Sequence, residues 1–117
     1  MDTSQWLLRQ ELFQSHDDAE TGYVLVVGYD ERLDMMLMLG RYRSGASKEQ
    51  VLRRVVIKKE DAFGMARRLH VPMTALPGLL ADKFSDLDSF GGLDIAEDIL
   101  ADILDYLLSI GVRYHHS

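Results

Sequence analysis

Cysteine is absent from this chain of 117 residues, which removes a disulfide framework, a thiolate metal site and a cysteine nucleophile at once. Proline occurs twice and tryptophan once. No apolar run approaches the ~18 residues needed to cross a bilayer, and the opening MDTSQWLLRQELFQ lacks the basic-then-apolar layout of a secretory signal. The expectation is a cytoplasmic chain with no membrane attachment. No Gly/Ser/Pro linker, internal repeat or low-complexity tract interrupts it, so one globular domain over 1–117 is expected.

Signatures of chemistry are equally scarce. Histidines at 16, 70, 115 and 116 are too few and too scattered for a zinc set without cysteine. Gly40, Gly45, Gly91 and Gly92 build neither a phosphate-cradling loop nor a dinucleotide fingerprint, and there is no GxSxG elbow. The sequence therefore predicts no enzyme, no cofactor and no metal site.

What the chain does have is segregated charge. Its net charge is −6, yet residues 41–70 hold nine cations against three acids, while the blocks on either side each hold two cations against eight acids. A basic patch inside an acidic protein is a usual footprint for phosphate or an acidic partner. Solvated cations, or cations matched within the fold, give the same count.

The expected fold is α+β: an antiparallel three- or four-stranded meander followed by two or three helices packed on the sheet. YVLVVGY at 23–29 is β-branched, aromatic and bounded by turn residues. The run 34–43 follows after a short charged link, and VLRRVVIKK at 51–59 supplies a third strand after a loop at 44–50. WLLRQELF at 6–13 reads as a fourth strand because it leads into the meander, although its composition also suits a helix.

Beyond Glu60 the apolar period becomes helical. Ala62, Met65, Ala66 and Leu69 define a helix over about 60–70, with Glu60 and Asp61 at its start and Arg67 and Arg68 at its end, as the helix dipole favours. Gly64 within it suggests a close approach to the sheet or a local bend. A shorter helix is expected at about 75–84, with Pro77 in its first turn, then a loop over SDLDSFGG. The strongest helix spans about 93–110. There Asp94, Asp98, Asp102 and Asp105 form an acidic stripe opposite the apolar arc of Ile95, Ile99, Ile103, Leu107 and Ile110.

Two resemblances touch function. MARRLHVPMTALP at 65–77 resembles a helix-turn-helix, with Leu69-His70-Val71 where such motifs commonly carry Leu-Gly-Val. It departs at Pro77, where a recognition helix should continue, and at Asp82. The strand-then-helix order resembles the topology of Pur-like single-strand-binding regulators. That resemblance implies a nucleic-acid-binding sheet and nominates Arg41, Tyr42, Arg43, Arg54 and Lys58.

Three readings follow. The leading one is a non-enzymatic interaction or regulatory module whose partner is another protein or a second copy, in a homodimer. Its contact would be the apolar arc at 95, 99, 103, 107 and 110 or the methionine strand with Met35, Met36 and Met38, since methionine suits adaptable interfaces. The second is a regulator binding single- or double-stranded nucleic acid through the basic 41–68 region. The third is an acidic inhibitor or immunity-type protein that presents the Asp stripe to a basic partner.

Overall fold

The short β-branched and aromatic run from Tyr23 to Tyr29 favours a strand by length and composition, and as a strand it presents two apolar faces. The computed structural model describes residues 6–15, 21–43, 50–85 and 92–116, and most of it is built around that strand. The expected loops at 44–50 and 85–92 lie almost wholly outside the described residues, as does His16.

The chain forms a five-stranded antiparallel meander, β1 (Trp6–Gln14), β2 (Thr21–Asp30), β3 (Met35–Arg43), β4 (Gln50–Ile57) and β5 (His115–His116), in that spatial order. Helices α1 (Lys59–Leu69), α2 (Leu76–Phe84) and α3 (Leu93–Ser109) pack on the sheet, with a 3-10 turn at Met73–Ala75 before α2. The α+β expectation holds. Residues 6–13 are strand, because pairing with β2 outweighs the modest helix preference of Leu, Gln and Glu. β5 has no counterpart in the sequence reading, since two histidines carry no strand period.

The main core lies between the sheet and the helices. Leu25, Val27, Met35, Leu37, Leu39, Val55 and Ile57 point inward from the strands and meet Ala62, Met65, Leu80, Ile99, Ile103 and Leu107. β1 bulges between Glu11 and Phe13, so Leu12 and Phe13 are both fully buried rather than one pointing away. At this edge α2 closes the core, with Pro77 in its first turn.

Local chemistry fixes the junctions. Lys58, which precedes α1, offers no side-chain cap; Asp34, from the β2–β3 turn, instead accepts the Lys59 amide at 2.8 Å on Oδ1, placing negative charge at the helix start. His70 ends α1 with φ 59°, and the Val71 amide returns to the Ala66 carbonyl at 3.0 Å. Gly111, φ 76°, ends α3 in the same way, with the Val112 amide on the Leu107 carbonyl at 2.8 Å.

The expected close approach at Gly64 does not occur. A side chain there would meet no atom within 4 Å. α1 therefore carries the conformational cost of glycine without any packing gain inside the chain.

Candidate interaction surfaces

Among the described residues, α1, α2 and α3 all pack on one side of the sheet, and the other side carries its own small cluster of buried residues. Strand register identifies the residues there. Val26 pairs with Glu11 and Met38, Met38 with Arg54, Gly28 with Arg9 and Met36, and Met36 with Val56. Directly paired residues share a face. Val24, Val26 and Met38 form a second apolar cluster, distinct from the main core, and Trp6 and Tyr42 pack against it. Among the described residues, only strands contribute to this cluster.

The two rings are placed by glycines of β2. A Cβ on Gly28 would collide with the Leu8 carbonyl and the Trp6 ring, and one on Gly22 would collide with the Tyr42 ring. Each aromatic side chain thus lies down over a glycine, where the missing Cβ leaves room for it. Tyr42 is held further by donating its hydroxyl proton to the Ser15 carbonyl at 3.2 Å. The result is an apolar strip with one aromatic ring near each end. Met36 and Val56 are half-buried at its border, and Arg9, Glu11 and Arg54 are placed beside it by register.

The nominated nucleic-acid set does not converge on one face. Tyr42 and Arg54 belong to the helix-free side. Arg41 and Arg43 alternate to the opposite side of β3, where the Arg41 guanidinium donates to Gln50 Oε1 at 3.2 Å through Nε. Lys58 is exposed between β4 and α1. Other cations of the basic block have structural partners. Arg53 lies 3.6 Å from the Glu97 carboxylate of α3, Arg68 donates to the Ile110 carbonyl at the end of α3, and Arg67 lies over the Phe63 ring. The charge density visible in the sequence is spread over several surfaces.

The apolar arc of α3 faces inward. Ile99, Ile103 and Leu107 belong to the buried core, and Ile95 and Ile110 pack against it from the border. Asp94, Asp98, Asp102 and Asp105 are all exposed, so the Asp stripe points to solvent. Of the methionine strand, Met35 serves the main core and Met38 the second cluster.

A groove of about 630 Å3 lies between the last turn of α3 and the segment leading into β5, lined by Leu108, Val112, Arg113, Tyr114, His115 and His116. Sequence reasoning passed over it because its residues belong to a helix end and an irregular tail, which carry no periodic signal. It also passed over Trp6 and Glu11, which reach the open face only through pairing with β2. Among the described residues no three His, Asp or Glu side chains converge as a metal set, and no helix is long and apolar enough to cross a membrane. Compared with protein-family models, curated proteins and solved structures, the chain matches none.

Proposed function

We propose that this protein is a small non-catalytic binding module, acting in the cytoplasm, whose ligand is a protein surface laid on the helix-free side of the sheet. One observation carries the reading: the half-buried Trp6, Tyr42, Met36 and Val56 rim a small buried apolar cluster of Val24, Val26 and Met38 on which, among the described residues, no helix packs. Aromatic residues and methionine are enriched where protein interfaces bury their centres. Glu11 and Arg54, paired with Val26 and Met38 respectively, bring both signs of charge to its border.

The test places a photo-crosslinking residue at Met36, beside the cluster, or at Asp94 on the helical side. A discrete protein adduct from position 36, absent from position 94 and abolished by Val56→Glu in a chain that still melts cooperatively, is the expected result. Equal adducts from both positions would remove the proposal.

A second reading has its own observation. Trp6, Tyr42, Arg9 and Arg54 occupy one sheet face, the combination that stacks bases and meets phosphates. Trp6 is the sole tryptophan, so its emission reports directly on that face. A single-stranded oligonucleotide that quenches it, with a log–log salt slope of about −1.4 for two phosphates, would put nucleic acid in place of a protein partner. An unchanged emission at low salt leaves the protein reading standing.

A further inference from the structure

Leu33 combines two features that a chain acting alone has little reason to keep. Its φ is 68°, in the left-handed region that suits glycine or asparagine better than a branched apolar residue. Its side chain is 45% exposed. The turn around it is firmly tied. The Asp30 amide donates to the Asp34 carbonyl at 3.0 Å and the Leu33 amide to the Asp30 carbonyl at 3.0 Å. Asp30 Oδ1 accepts the Arg32 amide at 2.9 Å and the Asp34 amide at 3.0 Å, and Asp34 holds the Lys59 amide. A leucine is thus held outward on a rigid turn at a conformational cost.

Other exposed apolar side chains share that end of the sheet. β1 begins alongside it, because Trp6 pairs with Asp30, which brings Leu7 and Leu8 there, at 60% and 37% exposure. Phe63, 53% exposed, lies one helical turn beyond Lys59. Exposed apolar patches of roughly 300–600 Å2 on single chains are often functional.

The same end also carries a complementary hollow. β5 pairs with Val55 and Val56, next to Ile57, whose partner Met35 is two residues beyond Leu33. The 630 Å3 groove beside β5, with Leu108, Val112 and Tyr114 in its lining, therefore opens near the turn. Leu108 is 61% exposed. Arg113 lines the groove, and the turn carries Asp30, Glu31 and Asp34 against Arg32 around Leu33, so the two surfaces differ in net charge sign as well as shape.

We infer that this end of the molecule is a self-association surface, in which Leu33 of one copy enters the Leu108–Tyr114 groove of a second copy and the second copy does the same in return. One projection and one groove per chain satisfy a two-fold pair, since each contact then occurs twice. Glu31 of one copy meets Arg113 of the other. The surface adjoins the open face at Val56, which pairs with His115, but Leu33 and Leu108 lie outside the Val24, Val26 and Met38 cluster, so variants at these two positions test it separately from the partner reading.

Sedimentation of the full chain from micromolar to sub-millimolar concentration tests it. The expected result is a shift from the 13.3 kDa chain to twice that mass. Leu33→Gly is expected to weaken pairing by about a hundredfold or more. At a concentration where the wild-type chain is monomeric, the condition for every melting comparison, the variant's melting temperature stays level or rises, because glycine accepts the left-handed backbone. Leu108→Glu, on the groove, should have the same effect on pairing. Mixing the two variants should give pairs tighter than either variant forms alone but weaker than wild type, since one of the two contacts is then intact. A wild-type chain that stays monomeric, a dimer that survives Leu33→Gly, or a Leu33→Gly chain that loses thermal stability would each overturn the inference. So would a monomeric chain whose Leu33 is protected only by an unrelated protein.

Discussion

Tyr29 carries a phenol into the layer between the sheet and the helices, and one bond accommodates it. Its hydroxyl donates to the Met73 carbonyl at 2.6 Å, which ties β2 to the turn that introduces α2. Burial pushes this phenol from 10.0 up to about 12, because the anion is poorly solvated there. Between pH 10 and 12 the unfolded chain releases this proton while the folded chain keeps it, so stability falls as pH rises through that window. Below pH 10 this group makes stability independent of pH. Tyr29→Phe should cost about 1 kcal/mol at neutral pH through the lost bond and the stranded carbonyl. Urea midpoints of the two proteins should then converge between pH 10 and 12. Parallel midpoint curves across that window would show that the phenol is not held neutral by the fold.

At the scale of elements, glycines separate two kinds of constraint. In β2, Gly28 is required by a backbone neighbour, the Leu8 carbonyl of β1, and by the Trp6 ring above it. In α1, Gly64 meets no neighbour among the described residues. Gly28→Ala should therefore destabilise by about 1–3 kcal/mol, since β1 must shift to admit a methyl group. Gly64→Ala should stabilise by up to ~1 kcal/mol through helix propensity alone. Denaturant titrations of both variants check the pair. Equal effects of the same sign would mean that the Trp6 stack on β2 is not fixed as described.

Helix ends follow the same logic. Arg68 of α1 donates to the Ile110 carbonyl, so a cation that complements the dipole of its own helix also satisfies the end of another. Two elements far apart in sequence share one side chain.

Across the whole molecule, the acids gather on one helix face while the cations are dispersed. The exposed face of α3 carries Asp94, Asp98, Asp102 and Asp105 on a chain of net charge −6, and its spacing sets like charges one turn apart. Asp98→Asn relieves repulsion with both Asp94 and Asp102, roughly 0.2–0.5 kcal/mol for each pair. The melting temperature should rise slightly at low ionic strength, and the gain should vanish in about 1 M salt, where the screening length is near 3 Å. A gain that persists in salt would point to a local hydrogen-bond change in place of repulsion. The basic middle of the chain has no single facing layer, because its arginines serve β3, β4, the end of α1 and the end of α3 separately.

The order of β1 to β4 and of the three helices, their spans to within a few residues and the apolar arcs of α1 and α3 are legible in the sequence, whereas β5 is not, and neither is the inward facing of the α3 arc, which the sequence offers equally to a partner. The legible features rest on local pattern: a continuous β-branched and aromatic run from Tyr23 to Tyr29 bounded by turn residues, and three- and four-residue steps from Ala62 to Leu69 and from Ile95 to Leu107. Only the tertiary structure decided which side of the sheet the helices cover, and hence that the buried Val24, Val26 and Met38 cluster is built, among the described residues, from strands alone. The placement of Trp6, Tyr42 and Arg54 on one side, with Arg41 and Arg43 on the other, depends on pairing register across strands. The left-handed turn at Leu33 depends on Asp30 and Asp34 acting together. Such features arise from contacts between distant segments, and a period read along the chain contains no term for which segment will become the neighbour.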